Sequence, residues 1–498
     1  MSITFTKSAN GEATCSYNSI RLHSAYNPSR EAERFVQNVT CNFNPKYILI
    51  TGAALSYCAV YLKKYFPTAI LCAIQFSEDF KIADKLWNKT FYTTTQNDIP
   101  LSEQIYSYMG EEGIVSCLFT SWQPSEKAFP QEHELAWNQI KNAVLKSRNV
   151  LATRSFFAKR WVKNTMKFCM FLKNTFILKK GASPIIICAS GPSLKSSLPF
   201  LSAHRDRFFL IAVSSALSPL IDNSIIPDLC ISTDGGYWAK HHLSHALINN
   251  TNIPIALSPE SACFSTILQS CGIVPLSYGD GIAESFLYNH HIPSMPAYRN
   301  GTVSGTAAQF ALSITDGNVF FCGLDLSPTN GYAHTQPNEL ERFNMKNDNR
   351  LHPLETRLYP SSRPSPSLDI YKSWFASSDF KERLFRLSDN FAYRNTLGKI
   401  KDVNWDYFES TTRETSRSKP EFFASEQIGS TKERRAQIKK TVDTNIHNTD
   451  WIREAVPADY IVYERCIGMD SESSAAKKVQ TDMQTFYKDI LRVFSKEG

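Results

Sequence analysis

The chain of 498 residues is 42% hydrophobic and 20% charged, carries a formal net charge of +7, and contains twelve cysteines. A chain of this size buries a large core and divides into about two to four domains. The charge is mild for the length, which suits an anionic small-molecule substrate and makes no demand for nucleic acid. The cysteines form no CxxC pair, and Cys58, Cys72, Cys188 and Cys322 lie inside apolar runs, as core thiols do. The opening MSITFTKSANGEATC has no basic start followed by an apolar run, and no stretch approaches the roughly 18 uninterrupted apolar residues of a membrane span. The expectation is a cytoplasmic protein without stable membrane insertion.

From Lys46 the pattern KYILITG, SYCAVYLKKYF, TAILCAIQFS predicts strand, helix, strand, with Tyr57, Val60, Tyr61 and Tyr65 on the helix's inner face. Its turn, GAALS, lacks the second and third glycines of a dinucleotide fingerprint, which favours a Rossmann-like scaffold without a cofactor over a nucleotide site. Helices are expected between Leu101 and Asn149. The segment Ser155–Leu178 is apolar at helical spacing with basic residues opposite, and reads as a linking helix that packs across domains or meets a partner or membrane surface.

The clearest alternation begins at SPIIICASGPSLKSSLPF, a buried strand running into a Gly191-Pro192-Ser193 turn. It continues through RFFLIAVSSAL, PDLCISTDGGYW, IPIALSPE, GIVPLSY, the helical TVSGTAAQFALSI and NVFFCGLDLS. Strands alternating with helices predict a parallel sheet. Polar and glycine residues recur at the strand ends, at Ser190–Ser193, Ser214–Ser215, Thr233–Gly236 and Asp325–Ser327, and in an open α/β sheet such ends converge on one rim where ligands bind. Ser304 and Gly305 open a helix whose first turn offers free N–H groups to a phosphate; a cap and a close-packing glycine is the other reading. Asp325 stands alone as an acid, no metal motif appears, and no cofactor is expected. His334 and His352 both follow the GLDL strand, and either is suited to act as a base. Arg299, just before the TVSGT turn, can bind a carboxylate bidentately through its guanidinium; a solvated surface arginine is the alternative. Arg357–Asp369, rich in proline and serine, reads as a lid or exposed loop. Beyond Lys401 the chain turns charged and helix-prone, with a basic run at Lys432–Lys440.

The ordered set ASGPSL, IAVSSAL, PDLCISTDGG, TVSGTAA, GLDLSPTNGYAHT and LSDNFAYRNTLGKI resembles the central domain of the motility associated factor (Maf) flagellin glycosyltransferases, which is similar to bacterial sialyltransferases using CMP-activated sugars. The resemblance implies an α/β protein divided into an N-terminal Rossmann-like α/β domain (1–150), a linking helix (151–182), a catalytic Rossmann-like parallel-sheet domain (183–401) and a helical C-terminal domain (402–498). It implies an inverting, metal-independent glycosyltransferase that moves a nonulosonic acid of the pseudaminic or legionaminic type from CMP to Ser or Thr of flagellin. Ser190, Gly191, Ser193, Ser215, Asp234, Ser304 and Gly305 then cradle the CMP portion, with Arg299 on the sugar carboxylate. Where the sialyltransferases carry asparagines, this chain has Ser190 and Ser215. The resemblance suggests Tyr332 for the leaving phosphate and His352 for the base; His334 lies closer to the strand end, and the choice stays open. Two other functions fit the same domain: a hydroxymethylpterin diphosphokinase-like phosphotransferase, and a non-catalytic assembly factor that binds flagellin. Sugar identity, acceptor residues, oligomeric state and any ligand of the N-terminal domain are not legible.

Overall fold

The computed structural model describes residues 3–94, 99–244, 253–361, 366–378, 380, 382–388, 397–412, 418–425, 429–467 and 472–495. The chain forms two compact units, residues 1–158 with 449–488, and residues 159–448 with 489–498. Among the described residues no helix is long and apolar enough to cross a membrane. All the cysteines are free, and most are buried.

In the first unit a small antiparallel sheet, β1 (Thr4–Lys7), β2 (Ala13–Tyr17) and β3 (Ile20–Arg21), precedes a parallel sheet of β4 (Tyr47–Thr51), β5 (Ile70–Gln75), β6 (Lys89–Tyr92) and β7 (Cys117–Ser121), in the order β6-β5-β4-β7. The helix Cys58–Tyr65 joins β4 to β5 as expected, but its inner face is different. Cys58, Ala59 and Leu62 are buried with Ile48 and Ile50, whereas Val60 is 61% and Tyr65 46% exposed. Small residues let the helix lie close on the sheet, and the bulkier tyrosines are left to its flanks. The GAALS turn is closed by a side chain. Gln75 accepts from the Ala54 N–H at 3.0 Å and donates to the Ala54 carbonyl at 3.0 Å and the Ser56 hydroxyl at 3.2 Å, so the protein itself engages these loop groups.

Beside that turn lies His23, 2% exposed, its Nε2 accepting from the Leu55 N–H at 3.0 Å. A ring nitrogen that accepts is unprotonated, so the neutral imidazole carries its proton on Nδ1, which has no hydrogen-bond partner among the described residues. Burial pushes this histidine down to about 3. The folded state therefore refuses a proton that the unfolded chain takes up near the ordinary value of about 6.5. The associated stability is fully present above that value and is lost as pH falls toward 3, by about 1.4 kcal/mol per pH unit. Urea titrations between pH 7 and 4 should show a steeper loss of stability for the natural protein than for His23→Gln, whose amide oxygen can still accept from Leu55; equal slopes would remove His23 as the cause.

The helix that begins at Pro130 runs to Phe171, and the chain then becomes β8 (Asn174–Lys179) of the second unit. The expected helix over Ser155–Leu178 thus ends seven residues early. Asn174–Lys179 is claimed as a strand by a parallel neighbour, β13 (Gly272–Ser277), and an antiparallel one, β18 (Glu421–Ala424). The remaining strands are β9 (Ile185–Cys188), β10 (Phe209–Val213), β11 (Leu229–Ser232), β12 (Ile255–Leu257), β14 (Met295–Pro296), β15 (Val319–Cys322), β16 (Leu384–Leu387) and β17 (Lys401–Val403). Their order is β17-β16-β15-β9-β10-β11-β12-β13-β8-β18, with β14 beside β13, and every pairing except β18 with β8 is parallel. The strands β9, β10 and β15 are buried along their whole length, which is why each reads as an unbroken apolar run. The helix Val303–Ile314 lies against β9, β10, β11 and β15 through the buried Ala307, Ala308 and Ala311.

The stretch after residue 402 is not wholly helical, since β17 and β18 both join this sheet. The basic helix Thr431–Asn445 is opened by a capping box of Ser430 and Glu433, and one of its cations is buried: Arg434 donates to the Cys169 carbonyl at 2.9 Å and the Met170 carbonyl at 3.1 Å. It satisfies carbonyls at the end of the long helix that have no intrahelical partner.

Candidate functional site

The sheet order locates the site. From β9 the chain adds β10, β11, β12 and β13 on one side in sequence, then returns to place β15 on the other side of β9. Strand order reverses between β9 and β15, and the carboxyl ends of such a pair open a crevice.

In that crevice the residues after β9 meet those after β15. Gly191 N–H donates to the Gly323 carbonyl at 2.8 Å. A side chain at Gly191 would place its Cβ 2.4 Å from that carbonyl oxygen and 2.7 Å from the Asp325 carboxylate, so glycine is required by close approach. Asp325 accepts from the Ser193 N–H at 2.7 Å and the Ser193 hydroxyl at 2.5 Å. Its carboxylate therefore sits at the start of the helix Leu194–Ala203, where a phosphate would be expected to bind. The protein's own anion occupies the donors of the GPS turn.

One turn further on, Thr335 N–H donates to the Ser190 carbonyl at 2.7 Å, and Thr335 Oγ1 donates to the Gly191 carbonyl at 2.5 Å. These bonds bring His334 Nδ1 to 2.6 Å from Ser190 Oγ, which in turn accepts from Ser215 Oγ at 2.8 Å. Ser215 follows β10, so three consecutive strands of the sheet, β15, β9 and β10, supply one hydrogen-bonded chain. Burial pushes the His334 imidazole below its ordinary value, against the opposing effect of Ser190, and leaves it neutral at physiological pH. Tyr332, two residues earlier, is half-buried in the turn Thr329–Tyr332. His352 lies on an exposed turn, its backbone bonded to Asn349.

The other expected residues sit further along the same edge. Asp234, exposed after β11, accepts from the Gly236 N–H at 2.8 Å. Arg299 is held by protein carboxylates, with Nη1 2.5 Å from Glu260 Oε2, Nη2 2.8 Å from Glu260 Oε1, and Asp280 at 3.0 Å; its guanidinium lies 4.3 Å over the Tyr278 ring. A substrate carboxylate would have to compete for those donors. Thr302, not Ser304, holds the N-cap position of the helix Val303–Ile314, with no side-chain capping bond. Gly305 lies under Trp374, whose ring a Cβ there would meet at 2.8 Å, so this glycine serves close packing. At about 4.8 Å per strand, the β12 and β13 ends lie about 14–19 Å along the edge from β9, so the polar strand ends form one elongated rim with two clusters.

The structure thus brings together Ser190, Gly191, Ser193, Ser215 and His334, and sets Asp234 and Arg299 in the second cluster. Thr335, Glu260, Asp280 and Trp374 were not anticipated. Thr335 adjoins His334, and Glu260 closes a strand-end SPE, which were usable signals; nothing local marks Trp374. Of the LSDNFAYRNTLGKI stretch, residues 389–396 lie outside the described residues, as do 362–365 of the expected lid.

Sheet order and crevice define a doubly wound α/β protein, and comparison with known proteins gives the fold a more particular identity. A family model described as 6-hydroxymethylpterin diphosphokinase MptE-like matches residues 159–331. The Maf glycosyltransferase from Magnetospirillum magneticum AMB-1 superposes with a TM-score of 0.51 over 98% of this chain and 86% of that one, at 10% identity. The chain therefore has the Maf glycosyltransferase fold, as the sequence motifs implied. Two uncharacterized proteins of Treponema pallidum (strain Nichols) are similar in sequence, one 30% identical over 277 residues and the other 24% over 187. Those matches cover 55% and 36% of this chain, and only 60% and 31% of the relatives' own lengths.

Proposed function

We propose that the chain is a glycosyltransferase that moves a nonulosonic acid from a CMP-activated donor to a Ser or Thr hydroxyl of flagellin in the cytoplasm, with His334 as the general base. The observation that carries this reading is the 2.6 Å contact of a neutral, half-buried His334 with Ser190 at the strand-order reversal of a Maf-type fold. The acceptor oxygen attacks the anomeric carbon, the bond from that carbon to the CMP phosphate oxygen breaks with its electron pair leaving on the phosphate, and the acceptor proton passes to His334. Inversion follows from a single displacement. In this reading Tyr332 donates to the departing phosphate, a stabilisation needed only as charge develops there. The elongated rim suits a donor with a nucleotide at one end and a sugar at the other, Gly191, Asp234 and Ser304 lying along it, while Gly305 packs beneath Trp374.

Purified protein incubated with flagellin and CMP-pseudaminic or CMP-legionaminic acid should release CMP and add the mass of one sugar or more to flagellin. No transfer from any nonulosonic donor would overturn the reading. AMP release from ATP with a hydroxymethylpterin would replace it with phosphotransfer, and flagellin binding without turnover would replace it with an assembly role.

A further inference from the structure

We propose that Ser190 and Ser215 are positioning residues for His334, holding its ring with the Nδ1 proton toward Ser190 so that Nε2 is left to take the acceptor proton. This rests on the glycosyltransferase reading for its purpose, though not for its geometry. It also departs from the expectation that the two serines are nucleotide contacts.

Three bonds fix the Ser190–His334 pair. Thr335 N–H to the Ser190 carbonyl and Thr335 Oγ1 to the Gly191 carbonyl staple the two backbones, and the Oγ–Nδ1 contact closes the ring between them. The distance is therefore set by backbone, and does not depend on a chance meeting of two free rotamers. Ser190 is 7% exposed, which restricts where its hydroxyl can turn. Its oxygen already accepts from Ser215, and an oxygen with two lone pairs can accept once more, from His334 Nδ1–H. The Ser190 proton is then directed away from both. In the opposite arrangement Ser190 donates to Nδ1, Nε2 carries the proton, and the ring cannot act as a base from its outer nitrogen. Serine in place of a carboxylate is consistent with a histidine that must be neutral before the reaction, because a hydroxyl orients the ring without the charge that would hold a proton on it.

The test reads the tautomer directly. The full chain is labelled with ¹³C,¹⁵N-histidine, and the signals of His334 are assigned among the eleven histidines by their loss in His334→Gln. In the natural protein at pH 7.5 the Nδ1–H form should dominate, Ser190→Ala should shift the ring toward Nε2–H, and Ser215→Ala should shift it less. In transfer assays Ser190→Ala should lower kcat about tenfold or more, a part of the 10²–10⁴ available to a general base, with the donor KM little changed, and Ser190→Thr should recover most of the rate. An Nε2–H ring in the natural protein, or a donor KM that rises with kcat unchanged, would overturn the assignment and restore the serines to nucleotide binding. Should no donor be turned over, the glycosyltransferase reading fails on its own, and the tautomer of the natural protein still decides the positioning role.

Discussion

Replacing His334 with alanine should lower sugar transfer by about 10²–10⁴-fold, the usual contribution of a general base, with little change in donor KM. The same substitution at His352 should leave the rate within about twofold, because an exposed loop residue away from such a network makes little difference to a transition state. The pH profile separates the two histidines further. A base works only when unprotonated, and burial lowers the His334 pKa, so kcat/KM should stay level as pH falls through the ordinary imidazole value of about 6.5 and decline only on further acidification. A limb at or above that ordinary value, or full activity in His334→Ala, would assign the proton to another group.

The second large effect concerns stability, and it reaches the site through the sheet. Arg386, on β16, is fully buried, and it is held bidentately by Asp402 on β17, Nε to Oδ1 at 2.5 Å and Nη2 to Oδ2 at 2.7 Å. The two residues are register partners in neighbouring strands. Arg386 Nη1 also donates to the Leu324 carbonyl at 3.2 Å, the residue immediately before Asp325. Asp402→Ala removes a bidentate counter-charge from a guanidinium that stays in the interior, which costs about 3–5 kcal/mol. Urea denaturation followed by circular dichroism should register that loss. The double variant Arg386→Met with Asp402→Leu should recover most of it, because replacing both partners with apolar groups removes the buried charge altogether. A single variant as stable as the natural protein would mean that the pair carries no such weight.

The two results bear on each other. Asp325 holds both donors of Ser193, and Ser193 belongs to the turn that follows Ser190. Loosening Leu324 therefore relaxes the segment that fixes the GPS turn. Transfer in Asp402→Ala should fall even at temperatures where the protein remains folded.

Much of this was present in local sequence. The apolar tetrads Ile185–Cys188 and Val319–Cys322 are strands because they are short, bounded by turn residues and apolar on both faces, as central parallel strands must be. Their alternation with helices implied a parallel sheet, and a parallel sheet sends every carboxyl end to one edge, so a shared rim of polar residues could be read before any coordinate was known. The motif series implied the Maf-type fold, and the structural likeness bears that fold out at only 10% identity.

Pairing was decided by the tertiary structure alone. Asn174–Lys179 is compatible with the end of a helix until β13, about a hundred residues later, and β18, further still, offer it ladder partners. Arg299 looked available to a substrate because its carboxylate partners, Glu260 and Asp280, arrive from the ends of other strands. Ser193 meets Asp325 across 132 residues and Ser190 meets His334 across 144, distances over which propensity and periodicity carry no information. The sequence by itself determined that a glycine-proline-serine turn would follow a buried strand at the carboxyl edge of a parallel sheet. Only the closure of β15 against β9 decided that this turn would bind the protein's own aspartate, and that His334, and not His352, would be drawn to the serine beside it.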